Sequence, residues 1–238
     1  MPSQQRSGEP ELELLALSRI RQAIGERTQG SFRDIPQFSS VVLADIEVLT
    51  EVRKARKEAS SSGPVPTYND YFIKVVASIL KEYPRLNAWY EDEGLKVLKS
   101  INLGFACATD EGVLLPTVFD ADQKSVQQIA QETGELIDLA RRGRLRASLQ
   151  QGAGFTVSNL GPTVVDCFQA IISPPQTAIL AIGSIKPRPL AVAGKVVAQP
   201  SVYLNLVVDH RAADAADAAA FLADLTARLS DHNWLQKQ

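Results

Sequence analysis

A run of seven residues, Val202-Tyr203-Leu204-Asn205-Leu206-Val207-Val208, ends abruptly in Asp209-His210-Arg211-Ala212-Ala213-Asp214 and passes into an alanine-rich helical stretch from Ala215 to Leu229. An apolar run of that length that stops at charged residues reads as a buried strand, and the residues after it as a helix laid back on the core. The chain has only two histidines, His210 and His232. His210 sits where the buried strand stops, whereas His232 lies in the polar tail Ser230-Asp231-His232-Asn233. An imidazole general base, the side chain whose charge changes near neutrality, therefore has one address in this sequence.

The 238 residues fit one large domain or two small ones, and 45% hydrophobic with 22% charged residues is ordinary globular composition. A formal net charge of -2 supplies no basic field for nucleic acid or anionic lipid, so neither is an expected partner. Cys107 and Cys167 both stand in apolar, strand-like surroundings, which predicts buried small hydrophobes in a reducing compartment rather than a disulfide. Met1 to Pro10 is polar, unlike a signal peptide, and no apolar run approaches the ~18 residues of a membrane span. The expected location is cytoplasmic.

Residues 1–11 read as a disordered lead-in or linker remnant and 12–238 as one domain. Leu14, Leu17, Ile20 and Ile24 recur at helical spacing and predict an amphipathic helix over Leu12 to Arg27. Pro36 breaks it, a strand follows over Phe38 to Asp45, and a charged helix over Glu47 to Glu58. Ser60 to Pro66 is a loop by composition. Thr67 caps a buried helix that runs to Tyr83 before Pro84, and Ser125 opens another amphipathic helix that closes near Gly143. Strands are expected at Leu95 to Leu98, Ile101 to Thr109 and Val113 to Val118, with Asp110-Glu111-Gly112 as a hairpin turn. Further strands are expected at Gly154 to Asn159, Cys167 to Ile172, Thr177 to Ile185, Leu190 to Ala198 and Val202 to Asp209. Strands and helices without regular βαβ alternation predict an α+β fold, with helices packed on one face of a mixed sheet.

Several chemistries lack their residues. No glycine-rich phosphate loop ends in Lys-Ser or Lys-Thr, and Gly152-Ala153-Gly154 precedes a strand instead of following one. Two histidines and two cysteines without ligand spacing give no zinc site, and no Gly-x-Ser-x-Gly elbow is present.

Four segments, taken together, resemble the catalytic core domain of the 2-oxo acid dehydrogenase dihydrolipoamide acyltransferases, which belong to the chloramphenicol acetyltransferase-like superfamily. They are Leu17 to Ile24 with Ile35-Pro36 downstream, Gly152 to Gly161 with its Phe155-Thr156-Val157-Ser158-Asn159-Leu160-Gly161 core, Ala170 to Gly183, and Asp209 to Asp214. A His-x-x-x-Asp match alone is weak. The Phe-Thr-Val-Ser-Asn-Leu-Gly and Pro-Pro-Gln-Thr-Ala-Ile-Leu-Ala-Ile-Gly segments, in that order ahead of the histidine, are far more specific.

The resemblance implies an acyltransferase that moves an acyl group between a dihydrolipoyl thioester and coenzyme A, with no metal. The family's general base maps to His210 and its oxyanion donor to Ser158. A thiol must lose its proton as it attacks a thioester carbonyl, a task suited to imidazole with its ordinary pKa of ~6.5. The charge that builds on the carbonyl oxygen then needs a positioned donor such as a serine hydroxyl, which forms no acyl intermediate. Asp214 has two readings: in the family it shapes the site, often through an arginine, for which Arg19 or Arg21 are candidates, and by its position it also caps the final helix.

The family's glycine after that aspartate is Ala215 here, and if the position needs positive φ or a close approach, alanine would displace the histidine loop. The lipoyl and subunit-binding segments that normally precede the domain are not found, which fits an excised domain or a stand-alone relative, so the lipoyl group would come from another domain or chain. By resemblance the partners are dehydrogenase-complex subunits and two further copies of the chain. In such a homotrimer His210 of one subunit faces Ser158 of the next, and the surface from Pro174 to Gly183 is buried between them. Assembly into larger cages stays open. The rival expectations are a relative that acylates another small acceptor, and a catalytically silent scaffold subunit.

Overall fold

The structure, a computed structural model, describes residues 12–59, 63–92 and 94–238. The expected lead-in at 1–11 and the first half of the loop at 60–66 lie outside the described residues. The elements follow in the order α1 (Arg19–Asp34), β1 (Gln37–Asp45), α2 (Glu47–Ala59), α3 (Tyr68–Ile79), β2 (Ala88–Glu91), β3 (Gly94–Val97), β4 (Leu103–Phe105), β5 (Cys107–Thr109) and β6 (Gly112–Leu114). After these come β7 (Thr117–Val118), α4 (Val126–Arg141), β8 (Phe155–Asn159), β9 (Ala178–Ile182), β10 (Lys186–Val192), β11 (Lys195–Asp209), α5 (Ala215–Leu229) and α6 (His232–Gln236).

The main sheet has the order β1-β11-β9-β8-β4-β7, and β10 pairs with the first half of β11. It is mixed: β8 runs parallel to β4 and to β9, and the remaining pairs are antiparallel. Because successive side chains on a strand point to opposite faces, the two faces carry different residues. One presents Phe155, Val157, Leu180, Ile182, Leu204, Leu206 and Val208 to α3, α4 and α5, and with Phe72, Val76, Ile129, Phe221 and Leu225 these form the main core. On the other face Ile179, Ala181 and Val207 meet Ile35, Ala170, Ile172 and the half-buried Phe168. The helices α3 to α5 cover one face, as the sequence predicts. The other carries a thinner cover made by residues 168–173 and the end of α1.

Local chemistry explains most boundaries. Thr67 opens α3 with its backbone N–H donating to Asp70 Oδ2 at 2.7 Å, and Ser125 opens α4 by accepting from Gln128 N at 3.2 Å. The predicted hairpin closes with Thr109 opposite Gly112.

Other expectations need correction. Helix α1 starts at Arg19, not Leu12, because Ser18 is its N-cap and accepts from Arg21 N at 3.2 Å; Leu14, counted toward an apolar face, is 95% exposed ahead of the helix. The strand expected at Cys167 to Ile172 is a loop, and Cys167 is exposed while Cys107 is buried. The runs 101–109 and 113–118 each break into two short strands, and β2 was not expected. Of the surface from Pro174 to Gly183 expected to be buried between subunits, Ala178 to Ile182 is already interior to the chain, since β9 is paired on both edges, to β8 and to β11.

Candidate active site

His210 follows directly on β11. Its backbone N–H donates to Pro36 O at 3.0 Å, which extends the β1–β11 ladder by one step, and its exposed ring lies 4.8 Å from the Phe38 ring at 51°. No hydrogen bond joins the imidazole to another described residue. The residues on either side of it are tied to each other: the fully buried Asp209 carboxylate accepts from Arg211 N at 3.0 Å, from Nε at 2.9 Å and from Nη2 at 2.7 Å. The Asp209 carboxylate accordingly holds the Arg211 guanidinium above its ordinary pKa. The same guanidinium lies 3.9 Å from the centre of the Tyr90 ring.

Asp214 is the N-cap of α5. Its Oδ1 accepts from Ala216 N at 2.8 Å and Asp217 N at 3.2 Å, and Asp217 returns a bond to Asp214 N. Of its two readings the chain displays the capping one, and neither Arg19 nor Arg21 bonds to it among the described residues. Ala215 is the first residue of α5 and has no positive φ, so alanine fits there without strain.

Ser158 is half-buried near the end of β8, opposite Ala181. It lines an apolar groove of about 620 Å³ whose walls include Ile20 and Ile24 of α1, Val113 of the β5–β6 hairpin, and Phe168 and Ile172 of the covering loop. Beyond the serine the chain turns: Asn159 Oδ1 accepts from Gly161 N at 2.6 Å, and Leu160 N donates to Ile182 O at 2.9 Å. The Ser158 hydroxyl has no partner among the described residues. Burial pushes the Cys107 thiol up, the opposite of what an activated nucleophile needs.

Ser158 and His210 do not meet within the chain. Ser158 pairs with Ala181, Ala181 with Asn205, and His210 lies five residues further along β11, which puts the two roughly 19 Å apart at about 4.8 Å per strand and 3.3 Å per residue. The groove wall supplied by α1 and by 168–173, and the ring of Tyr90, were not found from sequence. The helical spacing of Ile20 and Ile24 was the one available signal, and it reads equally well as ordinary core packing.

The mixed sheet with helices on one face superposes on chloramphenicol acetyltransferase with a TM-score of 0.52 over 86% of this chain and 94% of that one, at 14% identity. That likeness is one of fold. The family model for the 2-oxoacid dehydrogenases acyltransferase (catalytic domain) matches residues 9–236, and the chain belongs to this family. It is 37% identical over 200 residues to the dihydrolipoyllysine-residue acetyltransferase component of the pyruvate dehydrogenase complex of Staphylococcus aureus, which covers 83% of this chain and 46% of that protein. The chain thus spans about half the length of the curated relatives it matches.

Among solved structures it resembles one from a study of a serine, a histidine and an asparagine in the catalytic mechanism of Azotobacter vinelandii dihydrolipoamide acetyltransferase, with TM-score 0.91, 31% identity and coverage of 99% and 98% of the two chains. A structure of the cubic core of the pyruvate dehydrogenase multienzyme complex gives TM-score 0.91, 32% identity and the same coverage.

Proposed function

We propose that residues 12–238 are the catalytic domain of a dihydrolipoamide acyltransferase, which passes an acyl group between a dihydrolipoyl thioester and coenzyme A with His210 as general base and Ser158 as oxyanion donor. One observation carries the reading: the serine, histidine and asparagine studied in the Azotobacter enzyme lie 52 and 4 positions apart, and Ser158, His210 and Asp214 repeat both intervals on a superposable fold.

The attacking thiol gives its proton to His210 as its sulfur bonds to the thioester carbonyl carbon. The carbonyl oxygen takes the electron pair and is held by the Ser158 hydroxyl. Collapse reforms the carbonyl and breaks the original carbon–sulfur bond, and the departing thiolate recovers the proton from the imidazolium. One thioester is exchanged for another without redox change. Asp214 contributes by fixing the start of α5 and hence the end of the loop that carries His210.

Because the two groups are far apart within one chain, a second copy supplies the missing partner, and a closed ring of three is the assembly this reading takes. The lipoyl group arrives on another domain or chain, the partners are dehydrogenase-complex subunits, and the cubic core to which the chain is similar makes a larger cage the natural further assembly. The two free cysteines suit the cytoplasm.

Acetyl-coenzyme A and dihydrolipoamide are assayed with the wild type, His210→Ala and Ser158→Ala. Either single variant alone is expected to be nearly inactive. Dissociated and reassembled together in equal amounts, the two are expected to regain about a quarter of wild-type activity, since that fraction of interfaces pairs an intact histidine with an intact serine. Wild-type enzyme without turnover, or mixtures that stay inactive, would remove the reading.

A further inference from the structure

We propose that Arg211 and Tyr90 are positioning residues for His210, which hold the backbone that carries its ring. The inference rests on the acyltransferase reading and adds to it the way the base is held. A general base must be kept in a productive orientation, and displacement by about 1 Å can cost 10²-fold in rate. The His210 imidazole is exposed, and the chain on both sides of it is held by its neighbours.

Three restraints converge on it. Its own N–H is fixed to Pro36 O and its ring rests against Phe38. Asp209 is fully buried, its backbone N–H bound to Thr177 O at 2.8 Å and its carbonyl accepting from Ala212 N and Ala213 N at 2.9 and 3.2 Å. Arg211, on the far side of the histidine, closes a bidentate pair onto that carboxylate and stacks on Tyr90. Tyr90 is in turn fixed by its N–H to Pro175 O at 2.8 Å, next to the Trp89–Gln176 bridge.

The guanidinium is therefore held from two sides, by a buried carboxylate and by the Tyr90 ring. The backbone at 209–211 cannot rotate without losing both. A lysine could keep the charge but neither the fork nor the flat face.

The test uses the full chain and Arg211→Gln, Arg211→Lys, Tyr90→Leu and Tyr90→Phe. Arg211→Gln and Tyr90→Leu are expected to lower kcat about tenfold or more while KM for both substrates stays within about twofold. Tyr90→Phe, which keeps the ring, is expected to retain wild-type kcat, and Arg211→Lys to fall between. With only two histidines in the chain, a His232→Gln background assigns the His210 imidazole resonances, which Phe38 displaces by its ring current. Those resonances are expected to move toward free-histidine positions in Tyr90→Leu and stay in place in Tyr90→Phe. Variants that fold with wild-type kcat and an unmoved His210 signal would overturn the proposal. So would a fall in kcat matched by an equal rise in KM. A wild type without acyl transfer whose His210 signal still responds in this pattern would sink the acyltransferase reading and leave the clamp standing.

Discussion

Gly183 lies so close to the backbone carbonyl of Asp166 that a Cβ on the glycine would stand 1.8 Å from the carbonyl oxygen. Gly183 sits in the step between β9 and β10, where Ile182 faces Leu204 but Lys186 faces Ser201, one residue more on one strand than on the other. The loop that forms the groove wall packs against that bulge. Gly183→Ala must push the loop off the sheet, and backbone overpacking of this kind is expected to cost about 3 kcal/mol or more, read from the urea midpoint. An unchanged midpoint would contradict the packing described.

The same loop is held by charge. The Asp166 carboxylate accepts from Lys186 at 2.6 Å, from Ser184 Oγ at 2.7 Å and from the buried Arg188 at 2.6 Å, which together hold its carboxyl well below the usual carboxylate range. A carboxyl lowered in the fold stabilises above its unfolded pKa of ~3.9 and loses that contribution as the pH falls toward the folded value. The stability difference between wild type and Asp166→Asn should thus be constant from about pH 5 to 8 and shrink below about pH 4. Paired urea titrations across that range check it.

Tyr83 behaves in the opposite sense. Burial first, and then its hydrogen bond to Asp224 at 2.5 Å, push the phenol up to about 12. A phenol raised above its unfolded value of ~10 stabilises fully below that pH, and the contribution is lost as pH rises through the folded value. Spectrophotometric titration should show a late-ionising phenol with midpoint near 12 that is absent in Tyr83→Phe.

The Ser158 hydroxyl has no partner among the described residues, so its removal strands no buried group. Ser158→Ala is expected to leave the urea midpoint unchanged and KM nearly so, while kcat falls about 10²- to 10³-fold, the effect of losing one oxyanion donor. A matching loss of stability would point to a structural serine.

Asp214→Ala removes the cap of α5 and is expected to cost about 1 kcal/mol, whereas Asp214→Asn, still able to accept from Ala216 N and Asp217 N, should cost a few tenths. If activity follows the same order, the capping geometry accounts for Asp214's part in the site. An inactive but stable Asp214→Asn would show that the negative charge itself is required.

Where local chemistry decides, the sequence was legible. Helix α5 appeared at its observed bounds because Asp214 and Asp217 form a capping box ahead of an apolar stripe, and the hairpin at 110–112 appeared because Gly112 takes a φ of +146°. It misled where backbone partners come from side chains. The apolar run at 167–172 looks like a strand, yet Phe168 O accepts from Asn205 Nδ2, Ile172 O from Ser31 Oγ, and Ile172 N donates to Gln37 Oε1. No periodicity announces such bonds. The site divides in the same way: His210 and Ser158 stood out by motif, whereas the contact of Tyr90 with Arg211 joins residues 121 positions apart and leaves no local trace.

The sheet's lopsided cover has a consequence for the groove. Most buried apolar side chains lie on the helix-covered side, so the thin skin of residues 168–173 over the other carries less of the core. Exchanging a few side chains in that skin reshapes the groove it lines, while the scaffold beneath goes on folding as before.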